Sequence, residues 1–281
     1  MDKLNYSLRL FRCFAFIFLA LVFSPVMADK VYTIGIVPQF DSRTIDKIWS
    51  PILEQLEKQT GLKFKLLASP SIPVFEQKFL QGEFDFAYMN PYHMLMASRA
   101  QGYIPLVRDT SRSLRGVLVV RKDSGIKDLS ALQGKVIAFP SPNALGASLL
   151  MRAELKRLHS LDIIPRYVKS HDSVYLNVAL GQASAGGGVG KTLQKQSSDL
   201  KNKLRVIYRT GKTAPHPLAV HPRIEKKTIQ KIKDAMLSIG STDSGRKLLS
   251  RIPMKQVGSA SLADYEPLNA IGLDKFYQKS P

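Results

Sequence analysis

Cysteine is all but missing from this chain of 281 residues, which has a single one, Cys13. One thiol can form neither an intramolecular disulfide nor a cysteine-based zinc site. Acidic side chains are scarce too: 22 Asp and Glu stand against 41 Lys and Arg, a formal net charge of +19. Such an excess points to anionic partners, whether a nucleic acid, an acidic membrane surface or a small anion. Long apolar runs are limited to one, Cys13 to Phe23, well short of the ~20 residues that span a bilayer. Internal repeats, low-complexity tracts and long linkers are absent, and so is the Gly-x-Ser-x-Gly elbow of a serine hydrolase. With 44% hydrophobic and 22% charged residues, the chain is neither disordered nor collagen-like. Its length suffices for one large domain or two lobes that fold without covalent staples.

The one apolar run sits in a recognisable context. Lys3, Arg9 and Arg12 precede it, and Ser24-Pro25-Val26-Met27-Ala28 follows with a helix breaker and small residues. That order is the pattern of a secretory signal peptide over residues 1–28, with cleavage expected after Ala28. Cys13 lies inside the leader, well upstream of the cut, so lipid attachment at the cleavage site is not expected. The exported part would carry no thiol, excluding cysteine catalysis. We therefore expect a periplasmic protein with no stable membrane insertion after cleavage.

The remainder alternates strands and helices. Val31 to Val37 alternates with β-branched residues and predicts a strand; Ile45 to Thr60 carries apolar residues at helical spacing and stops at Gly61. Phe64 to Leu67 and Phe84 to Tyr88 predict two more strands, with a short helix from Val74 to Leu80 between them. This β-α-β-α-β order implies parallel strands with helical crossovers. Further strands are expected at Gly116–Arg121, Lys135–Phe139, Leu204–Tyr208 and Leu218–Val220. Helices are expected at Ile126–Leu132, at about Ala144–Leu158, from His171 through Leu180, and at Lys226–Ile239. The fold class is α/β. Two such halves, joined near residues 115 and 219, predict a two-lobed binding protein. Residues 29–114 with 219–281 would form one lobe and 115–218 the other, with a ligand cleft between them.

Four stretches carry candidate chemistry. Ala185-Gly-Gly-Gly-Val-Gly190-Lys191-Thr192 fits a relaxed phosphate-loop pattern, but Ala179 to Ser184 makes a poor preceding strand, so close backbone packing is the expectation. Phe139-Pro-Ser-Pro-Asn143-Ala-Leu-Gly146 leads from a strand into a helix, whose first N–H groups form an anion site, with Asn143 as a plausible cap. Tyr88-Met-Asn90-Pro-Tyr92-His93 stands at the carboxyl end of a strand, where open α/β sheets hold ligands. His171-Asp172-Ser173 opens a helix, as caps or as ligand contacts; adjacent positions there cannot face one another as a catalytic triad. His216 and His221 are each followed by proline, and no set of partners for a metal is evident.

Taken in order, these segments resemble the periplasmic substrate-binding proteins of the phosphate, phosphite and phosphonate transporter family. The segments are Gly35-Ile-Val-Pro38, SPILEQLEKQTGLKFK, GEFDFAYMNPYH, GVLVVRKDSGIKDLSALQGKVIAFPSPN, SHDSVYLNVALGQ and HPLAVHPR, spread over nearly all of residues 31–223. The resemblance implies the type II periplasmic-binding-protein fold, in which two α/β lobes and two crossing strands close around a ligand. It implies ligand contacts by Tyr88, Asn90, Tyr92 and His93 from one lobe and by Asn143, Ala144, Gly146, His171 and Asp172 from the other. It also implies a small oxyanion or polar metabolite as ligand, no cofactor, no metal and no catalysis. The implied partner is an importer permease; a membrane sensor kinase, served by a similar domain elsewhere, is the alternative. Where the family carries Ser-Thr-Ser-Gly at the helix start, this chain has Asn143-Ala144-Leu145-Gly146, which keeps the glycine and loses three hydroxyl donors. In the second-strand loop, Ser71-Ile72-Pro73 replaces an expected aromatic residue. No basic stripe interleaved with aromatics is present, so nucleic acid is not an expected partner. Lys226-Lys227 and Lys231-Ile-Lys233 read as a solvated helix face.

Overall fold

Residues 30–279 are described by the computed structural model of the chain, so the expected leader lies outside the described residues. The β-branched alternation of the first segment forms β1 (Val31–Ile36). Helix α1 (Ser42–Thr60) follows; the Asp41 carboxylate accepts from Thr44 N–H at its start, and Gly61 ends it at φ 66°. Its periodic residues Ile45, Trp49, Ile52, Leu53 and Leu56 are buried. Strand β2 (Lys63–Leu67) pairs parallel to β1, and after α2 (Ile72–Leu80), β3 (Phe86–Tyr88) pairs parallel on its other side. These parallel strands joined by helical crossovers are the β-α-β-α-β order that the sequence pattern implies. Next come α3 (Pro91–Gln101) and β4 (Ile104–Asp109).

The second sheet is built from β5 (Gly116–Arg121), β6 (Val136–Phe139), β7 (Ile164–Tyr167), β8 (Ala185–Val189) and β9 (Leu204–Arg209), in the order β7-β6-β8-β5-β9. A π turn at Leu145–Leu149 runs into α4 (Leu150–His159); α5 (His171–Ala179), α6 (Gly190–Gln194) and α7 (Ser198–Lys203) complete this half. The chain then returns as β10 (Leu218–Val220), α8 (Lys226–Ser241), α9 (Asp243–Leu249) and β11 (Val257–Ser259). The first sheet thereby reads β11-β4-β10-β3-β1-β2, with β10 antiparallel to both β3 and β4. The molecule is a two-lobed α/β protein.

Two segments cross between the sheets, from β4 to β5 and from β9 to β10. They pair with each other: Leu114 and Thr213 exchange backbone hydrogen bonds at 2.9 and 3.0 Å, and Gly116 N–H donates to Thr210 Oγ1 at 2.7 Å. The C-terminal 3-10 turns (Leu262–Asp264, Glu266–Ile271 and Leu273–Lys275) add a further connection. Arg152 of α4 donates to Phe276 O at 2.8 Å, and the Gln278 backbone pairs with the Asn143 amide.

The close backbone packing expected at Ala185–Val189 takes the form of a strand, the fully buried centre of a sheet, paired with β5 on one side and β6 on the other. Bare backbone is what this strand needs. A Cβ on Gly187 would lie 2.0 Å from Ala147 O, and one on Gly188 2.0 Å from the Tyr175 hydroxyl. Small residues look unlike a strand by composition, yet helices packed on both faces leave no room for larger ones. The expected helix at 126–132 shrinks to a 3-10 turn at Ser130–Leu132, and the helix expected from Ala144 begins with the π turn. Ala144, Leu145, Ala147, Leu149 and Leu150, from the second lobe, share one buried cluster with Phe75, Tyr88 and Met89 of the first. The lobes are closed on each other.

Candidate functional site

A small cavity of about 20 Å³, open at its mouth, sits between the sheets. Its wall is assembled from both. The carboxyl end of β1 presents Val37 and Gln39; the start of α2 presents Ile72; the start of α3 presents Asn90. From the second lobe come the turn Ala144–Ala147, His171 at the first position of α5, and Val189 at the end of β8. The crossing segments contribute Leu114 and His216. Strand ends and helix starts converge here for the reason that applies to open α/β sheets generally.

Of the nine residues singled out in the sequence, four line this cavity: Asn90, Ala144, Gly146 and His171. Asn90 has two tasks. Its Oδ1 accepts from His93 N–H at 2.8 Å, capping α3, and its Nδ2 donates to Asn143 O at 3.3 Å across the lobe boundary. Gly146 is held tightly, since a Cβ there would approach Val189 and the Gly116 backbone at 3.2 Å. The first turn leaves the N–H groups of Leu145, Gly146 and Ala147 with no upstream helical acceptor, and the dipole places partial positive charge at their end.

The other five are placed elsewhere. Asn143 does not cap the helix. Its side chain donates to Glu76 Oε2 at 3.0 Å and to Gln278 O at 2.7 Å, and accepts from Gln278 N–H at 3.0 Å. His93 is fully buried, with Nε2 2.9 Å from Glu76 Oε1. Glu76 thus ties α3 of one lobe to the 143 loop of the other, behind the cavity wall. Tyr88 packs in the core beneath, its ring 5.0 Å from Trp49 and stacked 5.5 Å from His216; burial pushes its hydroxyl far up from the usual phenol range. Tyr92 lies against Tyr277 at 5.8 Å. Asp172 corrects the expectation most clearly: it faces solvent and accepts from Gln196 Nε2 at 2.6 Å. A helical step of one residue turns it away from His171. The capping group of α5 is Ser170, whose hydroxyl accepts from Ser173 N–H at 3.1 Å.

His216 and Gln39 are what sequence reading missed. Gln39 Nε2 donates to His216 Nε2 at 3.2 Å, and the His216 ring is held by its stacking on Tyr88. A signal existed for both. Gln39 follows a strand end, and His216-Pro-Leu stands directly before β10. Burial holds the His171 imidazole down to about 4; burial, then the neighbouring His93 and His171, hold His216 down to about 3. Both rings are therefore neutral at pH 7. Among the described residues, none in the cavity wall is a lysine, arginine or carboxylate, so the wall offers dipoles: amide, imidazole and backbone N–H. In a dry site such dipoles act strongly on a charged group.

The phosphate-loop pattern also has a definite fate. Thr192 Oγ1 donates to Val189 O at 2.9 Å and lies 3.3 Å from His171 Nδ1, while Lys191 reaches Ser250 O at 3.3 Å. Its three consecutive glycines, Gly186–Gly188, are paired in the sheet rather than wrapped around a phosphate.

Residues 34–265 match the family described as ABC transporter, phosphonate, periplasmic substrate-binding protein. The chain belongs to this family. The match extends through both sheets and both crossing segments, so the cleft lies wholly within it. Among relatives, the phosphonates-binding periplasmic protein of Escherichia coli is 24% identical over 92% of this chain and 82% of its own length. Two solved structures share the fold. One is a binding protein component of a phosphonate ABC transporter from Pseudomonas aeruginosa (TM-score 0.80, 18% identity, 88% of this chain and 87% of that one). The other is PhnD1 from Prochlorococcus marinus, solved with methylphosphonate (TM-score 0.79, 17% identity, 88% of this chain and 99% of that one). Family members are substrate-binding components of transport systems, and this chain is a solute-binding protein of an ABC transporter. Among the described residues, no helix is long and apolar enough to cross a membrane.

Proposed function

We propose that the chain captures a small phosphonate or phosphate-like oxyanion in the interlobe cavity and hands it to the permease of its importer. The observation that carries this is the convergence of Asn90, His171, His216 and the Leu145–Ala147 N–H groups, from two lobes and the crossing segments, on one cavity. A ligand there touches both lobes at once, which is the condition for stabilising the closed arrangement over an open one. Backbone donors replace the three hydroxyls lost at 143–145, and the side-chain donors come instead from outside that turn. The sequence of residues 1–28 supports export to the periplasm, with Ala28 as the last residue removed. An anionic ligand is supported by the donor-rich wall and by the long-range field of the basic excess, +17 of the chain's +19 once Lys3, Arg9, Arg12 and Asp2 leave with residues 1–28.

Isothermal calorimetry on the protein from Asp29 onward tests the reading, with phosphate, phosphite, methylphosphonate and sulfate as titrants. Saturable binding of at least one phosphorus oxyanion is expected, weakened by about 10-fold or more in His171→Ala and in His216→Ala, each of which deletes a cavity-wall polar group. Failure of all four to bind or to raise the melting temperature overturns it.

A further inference from the structure

Beside the cleft cavity lies a second, larger one of about 240 Å³, which shares Gln39, Leu114, Val189 and His216 with it. Among the described residues, its wall holds four cations and no aspartate or glutamate. Arg112 and Arg115 come from the first crossing segment, Arg209 from the end of β9 where the second begins, and Lys191 from the start of α6. Three separate stretches of chain therefore aim basic side chains at one concavity. Solvated lysines on a helix face do not do this.

Little on the protein neutralises them. Arg112 pairs with the buried Asp109 at 3.0 Å. Among the described residues, Arg115, Lys191 and Arg209 have no carboxylate within ion-pairing distance; Arg115 Nε donates to Thr210 O at 2.9 Å, and Lys191 reaches only the Ser250 carbonyl. Partial burial, then the crowding of Lys195, Arg112 and Lys255, lowers the pKa of Lys191. An anion entering this space relieves that repulsion. The inner cavity, by contrast, offers dipoles without a single cationic side chain. Head and charge are thus provided for in different places.

We propose that the cognate ligand is a phosphonate or phosphate whose substituent carries a second negative group, with the head in the inner cavity and the second group in this cationic antechamber. The proposal rests on the reading of the inner cavity as an oxyanion site and names the substrate class of that cleft. The same charge distribution selects against an aminoalkyl substituent, since an ammonium would meet four cations and no carboxylate in either wall.

Calorimetry with methylphosphonate, phosphonoacetate, inorganic diphosphate and 2-aminoethylphosphonate decides it. We expect phosphonoacetate or diphosphate to bind about 10-fold or more tightly than methylphosphonate, and 2-aminoethylphosphonate to bind more weakly than it. The two probes with an anionic tail separate a carboxylate from a phosphate as the second group. In the double variant Lys191→Gln, Arg209→Gln, the affinity ratio between the preferred probe and methylphosphonate falls toward one. In the unmodified protein, raising salt to 0.5 M compresses the same ratio, a readout that does not depend on any variant folding. Methylphosphonate binding with no advantage for either second charge overturns the proposal and leaves the oxyanion site standing. An advantage that survives both the double variant and high salt overturns the antechamber. No binding by any probe overturns both.

Discussion

Two buried histidines at the cleft and one buried glutamate behind it make different demands on the protein. His171 and His216 have folded-state pKa values near 4 and 3, below the ordinary 6.5, because burial disfavours the imidazolium. Between those values and 6.5 the unfolded chain binds more protons than the folded one, so stability rises with pH across that window. The contribution is complete above 6.5 and is lost as pH falls toward 4. Urea unfolding at pH 5 and pH 7 should therefore differ by about 2 kcal/mol for each ring, and His216→Gln should remove its share of the difference. An equal pH slope in that variant would refute the assignment. Glu76 is a matter of hydrogen-bond satisfaction. Its two oxygens face His93 at 2.9 Å and Asn143 at 3.0 Å inside the protein. Glu76→Ala would strand both partners and should cost about 3 kcal/mol or more in equilibrium unfolding, more than a typical surface substitution by several-fold. The side chains that sequence reading assigned to the ligand, His93 and Asn143, are instead the partners that clamp the lobes from behind. Nothing in a linear pattern separates a polar residue that faces the cavity from one that faces its back wall.

Among the elements, β8 is the one that composition concealed. Its glycines let the π turn and α5 approach the sheet until Ala147 O and the Tyr175 hydroxyl occupy the positions a methyl would need. Gly187→Ala and Gly188→Ala should each cost about 1–3 kcal/mol or more through overpacking, read as a lowered denaturant midpoint. Gly190→Ala, with open space around its Cβ, should change stability by no more than about 0.5 kcal/mol. Equal losses at all three positions would contradict the packing account. The first three strands and α1 were legible because their apolar residues recur at periods of 2 and 3.6 and their ends carry a proline, a glycine or an acidic cap. Strands β4 (Ile104–Asp109) and β11 (Val257–Ser259) were not, because the first, of mixed composition, and the second, three residues long, acquire strand character only from the neighbour each pairs with.

For the whole molecule, closure is the property that matters. The start of the 145–159 helical segment lies in the same buried cluster as the first lobe, the crossing segments pair with each other, and the C-terminal turns tie Arg152 and Asn143 to Phe276 and Gln278. A ligand that bridges the lobes stabilises the folded, closed state by mass action. At one hundred times its dissociation constant that amounts to about 2.7 kcal/mol, or a rise in melting temperature of about 5–10 °C for a protein of this size. Differential scanning fluorimetry checks this, and a ligand that binds calorimetrically without shifting the melting temperature would argue against a site shared by both lobes. The sequence by itself determined the α/β alternation, the strand-end and helix-start placement of the cleft, the family resemblance and the scarcity of acid and thiol, since these depend on local periodicity, end signals and composition. Only the tertiary structure decided which polar residues face the cavity. It turned Asp172 outward, drew His93 and Asn143 into the back wall, brought His216 and Gln39 forward, and gathered four of the many cations at one mouth. Facing depends on how two sheets, distant in sequence, are set against each other, and no local pattern records that angle.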